Sequence, residues 1–363
     1  MFNRLANPLD QCTEVSYYLA VPKQSYKPIK KNITLSDVAN ELGISPATVS
    51  LALRKKGVVA AKTRQLVITT ARKLGYVYNR NAAQLRTRRS STVSLIVPNI
   101  INPFFAEFSD VVEEVLEQEG WRMHLLRTSE NIDRQARCIH SALEYGVDGI
   151  LICPVASTRP QNLRSILPAG LPVVQFIRRI PQLGIDYVVI DNYRGTKLAT
   201  EYLLERGHSR FAFIGGLANS NIRRERFKGF QDALHERDLK KALSPSIECA
   251  STVREGYEAI MRILETNAPP TAVVCYNDVL AYGVILGLWA AKLTPGRDVA
   301  VVGFDNLSDS ALWRPPLTTV SSPVREIASE AVSLIVKRLH NPYAKAKRVT
   351  ITPSLVIRRS CGE

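Results

Sequence analysis

From Thr92 to the C-terminus, short apolar runs alternate with stretches of helical periodicity. The apolar runs have the length of β-strands, and in chain order they read SLIVP, HLLR, DGILIC, PVVQFI, YVVI, FAFIGG, TAVVCYN, VAVVGF, LTTVSS and VTITPSLVI. Between them, apolar residues recur at helical spacing over residues 103–119, 131–145, 160–167, 193–206, 222–237, 253–266, 279–291 and 323–340. Apolar strands that alternate with helices are typical of parallel sheets covered by helices on both faces.

This alternation predicts an α/β body made of two doubly wound parallel-sheet lobes. About 270 residues follow the pattern, which is more than one such sheet usually needs. We place lobe 1 at about residues 92–191 and 322–341, and lobe 2 at about residues 192–321 and 342–361. Because ligands bind at the carboxyl ends of strands in such sheets, we expect a ligand in the cleft between the lobes.

The composition excludes several classes of protein. Hydrophobic residues make up 45% and charged residues 22% of the 363 residues, as in folded soluble proteins and unlike disordered ones. No apolar run approaches the roughly 18 residues that a membrane-spanning helix needs, and residues 15–21 lack the cleavage site of a secretory signal. The six cysteines lie far apart, without the close pairs of zinc or redox motifs, so we expect no metal site and a reduced cytoplasm.

The positive charge is concentrated near the N-terminus. Residues 30–89 contain 13 Lys or Arg and 2 Asp or Glu, which gives +11 of the total net charge of +15. Residues 90–363 contribute only +3. A solvated charged face is one interpretation, but a basic head on a near-neutral body favours a polyanionic partner, most often nucleic acid.

The basic head also carries the pattern of three short helices. The first lies between Thr34, which suits an N-cap, and Gly43, which suits a helix end. The second is predicted from Pro46 to Leu53 after Ser45 as N-cap, and the third from about Ala61 to Leu74. The packed face of the third helix is predicted to contain Leu66, Val67, Thr70, Ala71 and Leu74. Three such helices form a helix-turn-helix domain, whose second helix enters the major groove of DNA.

Three segments carry a family resemblance: TLSDVANELGISPATVSLAL at 34–53, AAKTRQLVITTARKLGY at 60–76 and NRNAAQLRT at 79–87. They resemble the start of lactose-repressor-family transcription regulators, and the resemblance continues over nearly all of residues 32–360. Within that family, TVSLAL and AVVCYND together look most similar to the maltose-regulon repressor type. The resemblance implies a repressor of sugar or carbohydrate metabolism genes that acts without catalysis or cofactor. It also implies a homodimer on a palindromic double-stranded operator in the bacterial nucleoid, and a sugar or sugar phosphate as the effector.

The resemblance assigns DNA contacts by position. Base-reading positions fall on Pro46, Ala47 and Leu51, and Arg54 adds a further contact. Phosphate contacts fall on Thr34, Ser45, Thr48, Ser50 and Thr63. The chain departs from the family pattern at Leu51, where many relatives have an Arg, and at Ala60, where relatives often have a Ser cap. Because an apolar base-reading set can sense thymine methyls but donates no side-chain hydrogen bond, we expect much of the specificity to come from Arg54, the hinge and DNA shape.

Residues 78–91 form the predicted hinge between the DNA-binding domain at 31–77 and the effector-binding and dimerisation domain at 92–361. The segment is basic and has no acidic residue, so a flexible linker is one interpretation. The resemblance implies a short helix from Arg80 to Leu85 that forms on the operator, with Leu85 wedged between base pairs in the minor groove. The hinge contacts to DNA are assigned to Asn79, Arg80, Ala83 and Leu85. Residues 1–30 lie before the resemblance begins, and we treat them as an extension that is not native or is disordered.

Effector contacts are carried over where the local motif matches the family. The motifs NPFFAEF, RRERFKGF, CYND and GFDN each follow or open an element at the predicted cleft. The effector-binding residues predicted from these motifs and their neighbours are Asn102, Phe104, Phe105, Arg178, Ile222, Arg226, Asn277 and Asp305, and Asp278 matches a contact position as well. We expect only one of the two phenylalanines to reach the ligand, because adjacent helical side chains point about 100° apart.

Other interpretations of these motifs remain open. Both phenylalanines can belong to the core, and an Asn or Asp after a strand is often only a turn residue. Arg178 and Arg179 indicate either an anionic effector or a salt bridge, and Arg223 and Arg224 look like a solvated charge cluster.

Two other classes of function fit the sequence less well. An enzyme with a DNA-binding head would need a catalytic motif, and the sequence has no Gly-x-Ser-x-Gly, Gly-x-Gly-x-x-Gly or complete Walker motif. A solute receptor for transport would need an export signal and would not need the basic head. We therefore expect a DNA-binding regulator that recognises an inverted repeat of roughly 14 to 20 base pairs.

Overall fold

The computed structural model describes residues 33–53, 59–77, 89–237 and 246–362. The chain divides into two compact units, Met1–Arg80 and Asn81–Glu363. Residues 1–32, 54–58, 78–88, 238–245 and 363 lie outside the described part, and the predicted hinge helix and the contact at Arg54 lie there too.

The first unit contains the three predicted helices, α1 (Leu35–Leu42), α2 (Pro46–Leu53) and α3 (Ala61–Leu74). Gly43 ends α1 with a left-handed φ of 63°, a conformation that costs glycine little. The three helices meet at a small core of Val38, Ala39, Val49, Ala52, Val67 and Ala71. Contrary to the prediction, Leu66 does not join this core, because its side chain is 55% exposed on the outer face of α3.

The second unit contains two sheets, as the strand and helix alternation predicted. The first sheet has the order β10-β5-β4-β3-β1-β2 and is parallel throughout, with β1 (Thr92–Val97), β2 (Arg122–Arg127), β3 (Gly149–Ile152), β4 (Val173–Phe176), β5 (Asp186–Ile190) and β10 (Arg348–Ile351). The second sheet has the order β11-β9-β8-β7-β6, with β6 (Phe211–Ile214), β7 (Ala272–Cys275), β8 (Ala300–Asp305), β9 (Thr318–Ser321) and β11 (Ser354–Val356). Only β11 runs antiparallel to its neighbour in this sheet as described.

Helices cover both faces of each sheet. The helices around the first sheet are α4 (Pro103–Gln118), α5 (Ile132–Glu144), α6 (Pro160–Arg164) and α11 (Val324–His340). Those around the second sheet are α7 (Asn192–Glu205), α8 (Asn221–His235), α9 (Val253–Leu264) and α10 (Asp278–Ala290), with a 3-10 turn at Ser308–Ala311. In β1, Leu95 packs in the core shared with α4 and α11, whereas Ile96 packs in the core shared with α5 and α6. Successive strand residues therefore bury opposite faces, as a sheet between two helix layers requires.

The last predicted strand, VTITPSLVI, is two strands in different sheets. Residues up to Ile351 form β10 beside β5, and residues from Ser354 form β11 beside β9. Pro353 lies between them, and its missing N–H cannot continue a ladder. Residues 342–361 were predicted to lie wholly in lobe 2, and that boundary was wrong for β10.

Within the described residues, no helix combines the length and the apolar character needed to cross a membrane.

The packing of α9 against α10 generates a first prediction. At Gly283 a Cβ atom would overlap the carbonyl oxygen of Val253 and the amide nitrogen of Tyr257, so the two helices cannot keep this distance around a side chain. Gly283→Ala should lower the free energy of unfolding by about 1–3 kcal/mol through overpacking, although alanine favours a helix by about 1 kcal/mol.

Urea unfolding of the full-length protein measures this effect. Ser141→Ala, at an exposed position of α5, is the control for a small residue replaced by alanine and should change stability by less than about 0.5 kcal/mol. A Gly283→Ala protein as stable as the unmodified one would contradict the packing argument.

Candidate DNA-reading face and ligand cleft

One face of α2 is exposed and carries the predicted base-reading residues. Pro46 and Ala47 are exposed, and Leu51 is 36% exposed, whereas Val49 and Ala52 on the opposite side are fully buried. Ala47 and Leu51 are one helical turn apart, so they lie on the same face. The exposed face is therefore small and apolar, and it can enter a groove without any change in the core.

The polar residues around α1 and α2 are engaged in capping. The Thr34 hydroxyl accepts a hydrogen bond from the Asp37 amide at 3.3 Å, and the Asp37 carboxylate accepts one from the Thr34 amide at 2.7 Å. The Ser45 hydroxyl accepts from the Thr48 amide at 3.1 Å. The reciprocal pair at Thr34 and the single bond at Ser45 each cap the first turn of a helix, and Thr34, Ser45 and Thr48 lie at or near the surface.

The remaining predicted DNA contacts divide into two groups. Ser50 in α2 and Thr63 in α3 are half-buried. Ala60 precedes α3 and, having no side-chain acceptor, leaves that helix start without a side-chain cap, as its sequence predicted. Predicted contacts that lie outside the described residues are Arg54, Asn79, Arg80, Ala83 and Leu85.

In the second unit, a cavity of about 200 Å³ lies where the carboxyl ends of the strands of both sheets meet. All eight predicted effector-binding residues line it, namely Asn102, Phe104, Phe105, Arg178, Ile222, Arg226, Asn277 and Asp305. Lobe 1 contributes the first four, and lobe 2 contributes the last four. The cavity therefore has the position that ligand sites take in doubly wound sheets.

Arg178 lies in the cavity wall as half of an ion pair. Its two terminal nitrogens lie 2.7 Å and 3.0 Å from the Glu130 carboxylate oxygens, and one of them also donates to the carbonyl of Pro154 at 2.9 Å. The Arg178 Nε is buried and finds no acceptor among the described residues. Of the two interpretations that the sequence left open, the structure thus contains the salt bridge.

Arg226 is held from three sides and keeps part of its guanidinium toward the cavity. Its Nε donates to Asn192 at 2.9 Å and one terminal nitrogen donates to the Tyr276 carbonyl, while the other lies 3.8 Å from an Asp305 oxygen. The guanidinium carbon lies 3.4 Å from the centre of the Phe304 ring, which adds a cation–π contact. With only 6% of its side chain exposed, Arg226 is a rigid fork donor.

Asp305 has an unusual environment for a carboxylate. It ends β8 with a φ of 125°, and it is 7% exposed. Burial raises its pKa to about 8, although Arg226 opposes this shift and Asp278 adds to it. At neutral pH Asp305 therefore remains mostly protonated and can donate as well as accept a hydrogen bond.

Both phenylalanines of the NPFFAEF motif line the cavity. Their rings pack edge to face with centres 5.4 Å apart, and Phe104 also stacks toward Phe108 in the lobe 1 core. The Asn102 side chain caps α4 by accepting from the Phe104 amide at 3.1 Å. The first turn of α4 thus presents both rings at the cleft, and the expectation that only one of them reaches the ligand stays a prediction.

Asn277 and Asp278 have different roles. The Asn277 side chain caps α10 and lies in the cavity wall. Asp278 is fully buried away from it and accepts hydrogen bonds from the Leu307 amide and the hydroxyls of Ser310 and Thr319. The motif match at Asp278 was wrong as an effector contact, since this carboxylate holds the loop after β8 in place.

Arg223 also differs from its expected role. It was predicted to belong to a solvated cluster, yet it is 6% exposed, donates to the Gly215 carbonyl at 3.2 Å and pairs with Glu248 at 3.2 Å. Its guanidinium lies over the Phe227 ring at 5.1 Å. Arg224, one residue further along α8, is exposed as expected. The helical turn explains the difference, because Arg223 and Arg226 are three residues apart and share the buried face.

Several cavity residues were missed from the sequence. They are Asn99, Glu130, Leu217, Ser220, Cys249, Ser251, Thr252, Tyr276 and Ser322, together with small or apolar residues. Most of them follow strands or lie in loops, and no local sequence motif indicates that they lie at the cleft. Tyr276 and Ser322 were open to prediction, since each follows a recognised strand at its carboxyl end.

Comparisons with known proteins identify the family. A family model described as "Bacterial regulatory proteins, lacI family" matches residues 34–79. A second, described as "Periplasmic binding proteins and sugar binding domain of LacI family", matches residues 90–359. The chain belongs to the LacI family.

Individual LacI-family proteins match almost the whole chain. The Maltose regulon regulatory protein MalI of Escherichia coli is 31% identical, with 90% of this chain and 98% of that protein covered. The HTH-type transcriptional repressor PurR of Pasteurella multocida is 30% identical, with 90% of this chain and 98% of PurR covered. Because the two match equally well, the comparisons do not favour the maltose-regulon type that the sequence suggested.

The fold agrees with that of solved LacI-family structures. The lac repressor dimer bound to operator and the anti-inducer ONPF has a TM-score of 0.82, with 24% identity, and it covers 92% of this chain and 100% of its own. The helix-turn-helix head and the two-lobed α/β body predicted from the sequence are thereby confirmed.

Asp305 gives a prediction about pH. In the unfolded state the pKa of Asp305 would be near 4, whereas in the folded protein it is about 8. Between these values the folded state holds a proton that the unfolded state has lost, so Asp305 lowers stability progressively as pH rises from about 4 to about 8. The side-chain amide introduced by Asp305→Asn does not titrate, so the variant should gain stability relative to the unmodified protein across this range.

Urea unfolding of both proteins at pH 5, 7 and 9 measures this difference. The gap in unfolding free energy should widen by more than about 1 kcal/mol between pH 5 and 9, because a tenfold change in proton affinity corresponds to about 1.4 kcal/mol. A gap that stays constant with pH would show that Asp305 ionises normally.

Proposed function

We propose that this protein is a ligand-responsive repressor that binds a palindromic operator as a homodimer and changes its operator affinity when a sugar or sugar phosphate occupies the cleft. The observation that carries the proposal is the combination, in one chain, of a basic helix-turn-helix unit and a two-lobed body whose interlobe cavity is lined by charged and aromatic residues. The family of bacterial regulators to which it belongs supports binding to DNA and to a small molecule.

The DNA arm of the proposal rests on the α2 face. Ala47 and Leu51 present methyl groups, and such a surface suits thymine methyls in the major groove better than guanine. The residues at the helix starts, with their exposed hydroxyls and amides, suit phosphates on either side of that groove. The hinge contacts at Asn79, Arg80, Ala83 and Leu85 belong to the same proposal and would add minor-groove recognition at the operator centre.

Leu51 provides a direct test of this reading face. Leu51→Ala removes three carbon atoms from the contact at about 0.8 kcal/mol each, so operator affinity should fall by about tenfold or more. Binding to non-operator DNA, which depends on phosphate contacts, should stay within about twofold. Fluorescence anisotropy with labelled duplexes measures both affinities.

Leu66→Ala is the matched control, since Leu66 is also an exposed leucine in the same unit but lies on α3. It should leave both affinities unchanged. An equal loss in the two variants would mean that α2 does not present the base-reading surface.

The effector arm rests on the chemistry of the cavity. Phe104, Phe105 and Tyr276 offer aromatic faces for the apolar face of a sugar ring, and Asn102 and Arg226 offer hydrogen-bond donors for hydroxyls. Among the described residues that line the cavity, Arg178 and Arg226 are positive, Glu130 is negative, and Asp305, with a pKa of about 8, is mostly protonated at neutral pH, which leaves one net positive charge. A phosphate or carboxylate on the sugar would neutralise that charge through charge-assisted hydrogen bonds.

The two arms are coupled through a population shift. A ligand that bridges the lobes favours one relative orientation of the two sheets, and in a dimer that orientation alters the spacing of the two DNA-binding heads. The ligand changes operator affinity only as far as it discriminates between these states. The sign of the change, induction or corepression, follows from which state the ligand prefers.

Selection of DNA fragments from the host genome by the full-length protein tests the DNA arm. We expect an inverted repeat of roughly 14 to 20 base pairs with a flexible pyrimidine–purine step at its centre. Anisotropy over a salt series then separates specific from phosphate-only binding. Selection of no common sequence, with steeply salt-dependent binding to all fragments, would contradict the proposed operator recognition.

A thermal-shift panel tests the effector class. We expect a sugar or sugar phosphate to raise the melting temperature of the unmodified protein and to lose this effect in Arg226→Gln. Arg224→Gln, which changes an exposed arginine of the same helix, is the control and should respond like the unmodified protein. A response to purine bases instead of sugars would contradict the sugar class, and conversion of the compound to a product would favour the enzyme alternative.

A further inference from the structure

The residues by which the chain enters the body are held by one carboxylate. The Asp148 Oδ2 accepts a hydrogen bond from the Ser91 amide at 2.7 Å and a second from the Ser90 hydroxyl at 3.0 Å. Asp148 lies directly before β3, and Ser90 and Ser91 lie directly before β1. One side chain from the neighbouring strand therefore fixes the segment that follows residues 78–88.

Arg122, at the start of β2, holds the same segment from the other side. Its guanidinium donates to the Ser90 carbonyl at 3.4 Å, and its backbone amide donates to the Ser91 carbonyl at 3.0 Å. The Asp148 amide donates to the Thr92 carbonyl at 2.9 Å, which joins the clamp to the sheet. We call Ser90, Ser91, Arg122 and Asp148 the entry clamp.

The backbone within the entry clamp is in a conformation that needs support. Ser91 has a φ of 54°, in the left-handed region that non-glycine residues adopt at a cost. The bond from its amide to Asp148 is charge-assisted and short, which is the type of bond that can hold such a conformation. Loss of the carboxylate would remove this support and favour extended conformations of Ser91, in competition with the bonds that Arg122 makes to Ser90 and Ser91.

The entry clamp lies at the amino ends of the strands, whereas the cavity lies at their carboxyl ends. Thr92 begins β1, while Asn99 and Asn102, which line the cavity, follow its end. Asp148 is likewise at the opposite end of the sheet from Arg178, which follows β4. A change in the clamp therefore leaves the residues that line the cavity intact.

We propose that Asp148, through its bonds to Ser90 and Ser91, is a positioning residue for operator binding, because it fixes the direction in which the segment leading to the DNA-binding unit leaves the body. The inference rests on the proposed function, in which that segment must present two heads to one operator. Its physical basis is entropic, since each residue left unfixed before binding must be ordered when the operator is bound.

Operator and non-operator affinities of full-length variants test the proposal, measured by anisotropy on the fragment selected by the unmodified protein. Asp148→Ala should weaken operator binding by about tenfold, because ordering roughly one more residue on binding costs about that factor in affinity. Binding to non-operator DNA should stay within about twofold. Asp148→Asn keeps an acceptor oxygen and should recover most of the loss. Ser90→Ala removes the hydroxyl that donates to Asp148 and accepts from the Thr92 amide at 3.2 Å, and it should give a smaller loss in the same direction.

Glu144→Ala is the matched control, because it removes an exposed negative charge from the end of α5 in the same lobe. Removing a negative charge from the protein should by itself strengthen binding to DNA, so Glu144→Ala should bind the operator as tightly as the unmodified protein or more tightly. Weaker operator binding by Asp148→Ala would then have the opposite sign to a charge effect. The melting temperature of Ser90→Ala should match that of the unmodified protein, which separates positioning from loss of folding.

Each outcome decides the matter. A loss confined to operator DNA, graded from Asp148→Ala through Asp148→Asn and Ser90→Ala, supports the proposal. Equal affinities of all variants and the unmodified protein, or equal losses on operator and non-operator DNA, would overturn it while leaving the proposed function intact. Failure of the unmodified protein to select any sequence would overturn the proposed function and this inference together.

Discussion

The two-lobed architecture of the body depends on three connections at which the chain crosses from one sheet to the other. The chain crosses after β5, after β9 and after β10. Each lobe is therefore built from segments that are not continuous in the sequence. Ile190 and Ser322, which lie at two of these crossings, also line the cavity. A change in the relative orientation of the lobes must therefore act on the same short segments that border the ligand cleft.

Electrostatics within the cleft follow from its burial. A buried guanidinium is costly unless it is paired and hydrogen-bonded, and each arginine in the cavity wall meets that requirement differently. Arg178 has a charged partner in Glu130, whereas Arg226 relies on neutral acceptors and on the Phe304 ring, with Asp305 beyond hydrogen-bonding distance. The carboxyl of Asp305 consequently keeps its proton at neutral pH, because Arg226 does not offset the cost of its burial.

Much of this arrangement was predictable because it is local. Capping residues such as Thr34 and Ser45 and the helix end at Gly43 mark the helices of the head with the accuracy of a residue or two. The strands of the body were found because most contain a short apolar run of strand length, such as Gly149–Ile152 and Ala272–Cys275. The cavity residues in recognised motifs were found because each motif, NPFFAEF, RRERFKGF, CYND or GFDN, is a match over a few consecutive residues.

The expectations that failed depend on contacts between distant residues. The exposure of Leu66 depends on how α3 packs, and the burial of Arg223 depends on a pocket formed by Gly215, Phe227 and Glu248. Asp278 matched a motif, yet its partners Ser310 and Thr319 come from other elements. The ion pair between Glu130 and Arg178 also joins residues that are distant in the chain, 48 positions apart, so no local motif indicates it.

The central claim is that the cleft and the DNA-binding unit are coupled, and thermodynamic linkage tests it most directly. Calorimetry gives the ratio of the affinities of the cleft ligand for the free protein and for its operator complex. The second ratio compares the affinity of the protein for the operator with and without that ligand. The account predicts that both ratios are severalfold and equal, and that Arg226→Gln abolishes both. A ligand that binds free protein and operator complex with the same affinity would contradict the account.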